Sequence, residues 1–328
     1  MQCPRSFLSL LVLVAVTACS DGVTSAANSL DRSRGSLIVL RRELLPGGSP
    51  RATVIDAESG ATIALATWMP DGPSTTFSRD GKWMAWIAVR KDSFAEDYCY
   101  SDVCYSTRSI QELNVVRIGH GPGAVLTPRY HYDQAPSFSP DGERLVVLRE
   151  SYDGEQQMVT IARDGSDERP VLLKSRRRRD APDWSPNGAT ILYRRPELNA
   201  LYLVDPEGKA PRPIAAELKA VMPATWSPDG KQIAAVVWDP AHTYSNSYYA
   251  LAILSADGEM LHHYAFVDGY SSPVWSPDGS RLAYEVWEKG VGSEYSGRGV
   301  IRILTVASGD VRTITPAGYE DGGLVWRP

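Results

Sequence analysis

The sequence predicts an all-β fold, a six-bladed β-propeller of four-stranded antiparallel blades. Three observations lead there. A short phrase recurs at blade-like spacing, the text between recurrences reads as strands, and the last copy is cut short where the start of the chain supplies strands that it lacks.

The phrase has its aromatic at Phe77 (FSRDG), Phe138 (FSPDG), Trp184 (WSPNG), Trp226 (WSPDG) and Trp275 (WSPDG), and Trp326 ends the chain in VWRP. The spacings are 61, 46, 42, 49 and 51 residues. Its chemistry is that of a turn: proline fixes φ, Asp or Asn bonds back to nearby backbone, and Gly takes a positive φ. Arg79 stands in for proline and Asn187 for aspartate. A turn tolerates both changes, whereas a catalytic carboxylate would not survive the second, so the phrase is read as structural.

After each Gly comes an apolar or alternating run, such as ERLVVLRE or KQIAAVVW, then another such as QMVTIA or ALAILS, then a second turn such as Arg163-Asp164-Gly165 or Ala256-Asp257-Gly258. Ser36 to Arg42, Arg51 to Asp56 and Ala61 to Thr67 read as second, third and fourth strands without a first. The expectation is that the strand around Leu324 to Trp326 pairs with Ser36 to Arg42 and closes the ring, removing exposed edges. Alternation on the innermost strands turns the six aromatics away from the axis and leaves Thr76, Ser137, Asp183, Thr225, Val274 and Val325 facing the channel. Asp183 is the one carboxylate in that set, so neither a structural metal nor any cofactor is expected.

These repeats, an F/W-S-P-D-G phrase followed by a strand and a DG hairpin, resemble the WD-like repeats of TolB-type six-bladed propellers over residues 36 to 328. TolB-type proteins join the propeller to an N-terminal α/β domain that connects it to the Tol and Pal machinery; here a tether of about sixteen residues precedes the propeller. The repeat also resembles the propellers of prolyl oligopeptidase-like enzymes, whose hydrolase domain and G-x-S-x-G elbow have no counterpart in the chain. The resemblance implies the fold and leaves function open.

The first residues point to a membrane surface. Arg5, an apolar run from Phe7 to Val16, and Val16-Thr17-Ala18-Cys19 resemble a bacterial lipoprotein signal, with an ordinary secretory signal as the alternative. The run is too short to cross a bilayer. Residues 1 to 18 are thus expected to be removed, Cys19 to carry lipid, and 19 to 35 to form a flexible tether. Formal charge is -5 from 34 basic and 39 acidic residues, and removing the signal with Arg5 makes it 33 against 39, or -6, which disfavours nucleic acid as a partner. Export would leave Cys99 and Cys104 as a disulfide contributing about 2 kcal/mol. Zinc is the alternative, and it needs ligands that the neighbouring sequence does not supply.

If the phrase occupies one rim, the irregular loops gather on the other, where binding residues tend to sit. That rim is expected to hold Tyr100, Tyr105, Tyr130, Tyr132, Tyr244, Tyr248, Tyr270 and Tyr319, with Arg176, Arg177, Arg178 and Arg179 as the one dense charge run. Tyrosines there offer contact area at low entropy cost, and the arginines suit a carboxylate- or phosphate-bearing partner. The plainer readings are strand and loop tyrosines and a solvated basic loop. The expected function is non-catalytic binding of an envelope protein or glycan by a lipid-anchored monomer. The alternative is a propeller hydrolase or lyase acting on oligosaccharide or peptide through acids at the channel mouth, Glu320 with Asp321, or Asp133 with Asp180 and Asp183.

Overall fold

The structure is a computed structural model that describes residues 37–43, 51–55, 57, 62–66, 74–91, 98–100, 103–105, 109–118, 123–126, 131–151, 154–177, 179–239, 249–265, 272–288, 298–314 and 319–326. Three strands open the chain, β1 (Leu37–Glu43), β2 (Arg51–Ile55) and β3 (Thr62–Ala66). The first blade is β4 (Thr75–Phe77), β5 (Trp83–Lys91), β8 (Ser109–Arg117) and β9 (Ala124–Val125), interrupted by the hairpin β6 (Tyr98–Tyr100) and β7 (Val103–Tyr105). The second is β10 (His131–Phe138), β11 (Arg144–Ser151), β12 (Gln156–Ala162) and β13 (Arg169–Ser175). The third is β14 (Asp180–Trp184), β15 (Ile191–Arg195), β16 (Ala200–Val204) and β17 (Arg212–Ile214). The fourth is β18 (Thr225–Trp226), β19 (Gln232–Trp238), β20 (Tyr249–Ser255) and β21 (Met260–Ala265). The fifth is β22 (Val274–Trp275), β23 (Arg281–Glu288), β24 (Arg298–Thr305) and β25 (Val311–Thr313), and β26 (Tyr319–Trp326) ends the chain.

The repeated phrase links the first strand of each blade to the second by one hydrogen-bond pattern. In the fourth blade Ser227 Oγ donates to Asp229 Oδ1 at 2.7 Å, the same oxygen accepts the Lys231 amide at 3.1 Å, and Ser227 Oγ accepts the Gln232 amide at 2.9 Å. Asn187 reproduces all three bonds in the third blade, with 2.8 Å from Ser185 Oγ to Asn187 Oδ1. Only an acceptor oxygen is needed at this position, which is why Asn serves as well as Asp. The glycine sits at φ +71° in Gly230 and +77° in Gly188. The proline also has a packing partner, since a Cβ added to Gly188 would lie 3.7 Å from Pro140, and one added to Gly230 3.5 Å from Pro186. Each turn thus rests on the next.

The aromatics of the phrase pack between blades. Phe138 lies against Ala85 and Leu113 of the first blade, Trp184 against Val146 and Met158 of the second, Trp226 against Leu201 and Ile214 of the third, and Trp275 against Leu251 and Ile253 of the fourth. They are buried, with 7% of Trp275 and 8% of Trp226 exposed.

The blade count departs from the sequence expectation. The propeller has five blades, not six, and closure of a ring by the two chain ends is not confirmed. The strands expected to make the sixth blade form a separate four-stranded sheet in the order β26-β1-β2-β3, with Leu37 opposite Trp326 and a register slip between Val39 and Leu40. Its first pair of strands comes from opposite ends of the chain, so no Ser-x-Asp-Gly turn joins them. Ala57, Leu324 and Trp326 join Ala283, Ile301, Ile303 and Ile314 of the fifth blade in one core cluster. An aromatic of the repeat marks a packing position against the preceding blade rather than a complete blade, so six aromatics accompany five blades.

Candidate functional site

The inner strands surround an axial cavity of about 490 Å³. At its waist are Thr76, Ser137, Asp183, Thr225, Val274 and Val325. The turn end carries Arg79, Pro228 and Pro277, and a recess of about 170 Å³ there adds Pro140 and Pro186. Asp183 and Arg79 are the two charged residues in the wall among the described residues.

Two bulges shape the opposite half. Register slips between Gln134 and Ser137 on β10 and between Asp180 and Asp183 on β14. Ala135 and Ala181 there take φ of +48° and +24°, values that a side chain disfavours, and Pro136 and Pro182 become cavity wall. The slip re-aims the next residues, Ser137 and Asp183, toward each other.

Asp183, in the third blade, is tied to the second and the fourth. Its Oδ1 accepts Ser137 Oγ at 3.0 Å, and its Oδ2 accepts Thr225 Oγ1 at 2.9 Å and the Trp226 amide at 2.7 Å. Burial pushes its carboxyl above the ordinary carboxylate range, with these bonds and the Trp184 amide opposing the rise. Arg79 is exposed and reaches across the turn end, where Nη1 donates to the Pro186 carbonyl at 3.3 Å.

Three of the acids proposed for chemistry hold partners of their own within the fold. Asp133 is fully buried in a two-pronged pair with Arg149, Nε to Oδ1 at 2.7 Å and Nη2 to Oδ2 at 2.9 Å. Asp180 accepts Arg194 Nη1 at 2.5 Å. Glu320 and Asp321 lie in β26, opposite Arg42 and Arg41. No group of three or more His, Cys, Asp or Glu among the described residues is arranged to hold a metal ion.

Several stretches read as rim loops are strand. Tyr100 lies in β6, Tyr105 in β7, Tyr132 in β10 and Tyr319 in β26. His131 to Phe138 lacks strand alternation because Asp133 is polar and inward; its cross-strand partner Arg149, directly opposite on β11, makes that burial possible. Cys99 and Cys104 face each other in register in the β6–β7 hairpin. Arg176 and Arg177 are exposed just after β13. Arg179 is partly buried: its amide donates to Gln156 Oε1 at 2.7 Å, its Nη1 to the Gln156 carbonyl at 3.0 Å and its Nη2 to the Leu173 carbonyl at 3.3 Å. Burial draws its pKa below the ordinary guanidinium value. Cys19, Tyr130, Arg178, Tyr244, Tyr248 and Tyr270 lie outside the described residues. Sequence reasoning passed over Arg79 as a tolerated turn variant, although its departure from proline was the available signal.

Comparison with known proteins supports the fold. No protein-family model and no curated protein matches the sequence. Among solved structures, TolB from Acinetobacter baumannii superposes with a TM-score of 0.67 at 19% identity, over 89% of this chain and 66% of that one. An oligogalacturonate lyase from Vibrio parahaemolyticus gives 0.55 at 12% identity, over 86% and 79%. An oligogalacturonate lyase in complex with manganese gives 0.51 at 13%, over 86% of both chains. The chain is TolB-like in fold. It spans 66% of the TolB chain's length, and at these identities the likeness concerns architecture alone.

Proposed function

We propose that the protein is a non-catalytic binding propeller of the bacterial cell envelope, held to a membrane by lipid on Cys19, and that it takes an acidic protein or glycan partner on the rim opposite the repeated turns. The observation that carries this reading is that Asp133, Asp180 and Asp183 are each engaged by partners within the fold. Asp133 is locked to Arg149, Asp180 to Arg194, and Asp183 accepts hydrogen bonds from two hydroxyls and the Trp226 amide. General acid-base cleavage of a glycosidic bond needs two carboxyl groups facing one bond. Exposed Arg176 and Arg177 beside the clamped Arg179 supply the cationic contacts of the binding reading. The register of Cys99 and Cys104 supports a disulfide, because opposed residues of an antiparallel pair have Cα atoms about 4.5 to 5.5 Å apart, within the span that a disulfide bridges.

The test is capture of envelope components by the immobilised mature chain. The expected result is a component held by wild type and released in an Arg176→Glu, Arg177→Glu variant of unchanged Tm. Release of product from oligosaccharides or peptides by the purified protein would overturn the reading in favour of a hydrolase or lyase.

A further inference from the structure

We propose that the axial cavity is a binding site for a small organic monoacid, an apolar body ended by a carboxylate, with Arg79 as its anchor. Its anchor lies at the turn end, and its apolar wall runs along the cavity. Its volume of about 490 Å³ falls in the range of small-molecule pockets.

The wall is built for such a ligand. Pro182, Pro223, Pro273, Val274 and Val325 give it apolar faces. Asp183 has its carboxylate oxygens engaged by Ser137, Thr225 and the Trp226 amide, so it is not left seeking a cation. Arg79 is the opposite case. A guanidinium carries five N–H donors in a rigid fork, and among the described residues Arg79 uses it for one bond, to the Pro186 carbonyl at 3.3 Å. It has no carboxylate partner among the described residues.

Placement of that fork follows from the repeat. The corresponding residue in the other blades is Pro140, Pro186, Pro228 or Pro277, and each lines the turn end of the cavity. The turn therefore sets residue 79 at the axis, and arginine there puts a charge where four blades present a proline ring. A carboxylate matches a single guanidinium in a two-pronged pair. A phosphate dianion would leave oxygens facing proline and valine, so the monoanion is the better fit.

The experiment is calorimetric titration of the full mature chain with 4-phenylbutyrate, with its neutral amide 4-phenylbutyramide and inorganic phosphate as controls. The expected result is saturable binding of the acid, at least tenfold weaker binding of the amide, and no saturable heat from phosphate. Arg79→Gln is expected to weaken the acid at least tenfold. Arg79→Pro converts FSRDG to the FSPDG of the second blade, so it is expected to keep the wild-type Tm and lose acid binding. No binding of 4-phenylbutyrate, equal binding of acid and amide, preference for phosphate, or unchanged affinity in a folded Arg79→Pro protein would each overturn the proposal.

Discussion

Trp226 and Trp275 occupy the same place in the repeat yet differ in what their indole N–H meets. Trp275 Nε1 donates to the Thr225 carbonyl at 3.2 Å, whereas buried Trp226 Nε1 has no partner among the described residues. Trp275→Phe is therefore expected to cost about 1 kcal/mol more than Trp226→Phe, measured by chemical denaturation. Trp226→Ala empties the space between the third and fourth blades and is expected to cost about 3 to 5 kcal/mol. Asp183 supplies a pH test. Its folded pKa is raised above the ordinary 3.8, so the native state holds that proton longer than the unfolded chain does. The contribution favours folding in acid and is lost as pH rises through the folded pKa. Asp183→Asn keeps an oxygen for Thr225 and Trp226, so it should fold, and its Tm relative to wild type should climb as pH is raised from 4 to 7. A constant difference across that series would contradict the assigned direction.

At the scale of elements, the tightest test lies in the second hairpin turn of the third blade. Gly208 has φ +82°, and a Cβ there would lie 2.0 Å from the Val171 carbonyl oxygen of the neighbouring blade. Gly154 has nearly the same φ, +78°, with nothing within 4 Å. Both alanine variants carry the strain of a left-handed side chain, about 1 to 2 kcal/mol, so a larger loss for Gly208→Ala isolates the contact between blades. The β6–β7 hairpin gives a chemical test of the disulfide proposal: exported protein is expected to show Cys99 and Cys104 alkylated only after reduction. Two free thiols without reduction would remove the bridge. Turns were the most legible elements because Ser, Asp and Gly act locally. The starts of β10 and β26 were not, since His131-Tyr132-Asp133-Gln134 and Tyr319-Glu320-Asp321-Gly322 are polar and become strand only when a partner strand supplies the pairing.

Across the whole molecule, the repeated turns give a shared acid response. Hydrogen bonds from Ser276 and Ser280 hold Asp278 at about 2. Asp80 also lies at about 2, where burial works against the lowering and bonds from Ser78 and Lys82 outweigh it. Asp141 and Asp229 are lowered as well, led by Ser139 and Ser227. A lowered folded pKa means stability present above the ordinary 3.8 and lost as pH falls toward 2. Loss of native circular dichroism is expected in that window, and Asp278→Asn, which copies Asn187, should make the loss shallower with little change in Tm at pH 7. An identical acid transition in that variant would remove Asp278 from the cause.

The sequence by itself determined the strands, the turns and the aromatic packing positions, because each rests on residues close in the chain: Ser227 with Asp229, Gly230 at φ +71°, Trp226 one strand before its core. Only the tertiary structure decided how many blades those strands make and where the charges stand. The five blades each carry their first turn within one continuous stretch, while β26 and β1 meet across the whole length of the chain; the complementary strands at the two ends foretold that pairing, but not the number of blades. Nor could spacing tell that Asp133 would be locked to Arg149, that bulges at Ala135 and Ala181 would aim Ser137 at Asp183, or that Arg79 would reach the Pro186 carbonyl. Those facts depend on atoms brought together by packing, and the chemistry of the cavity follows from them.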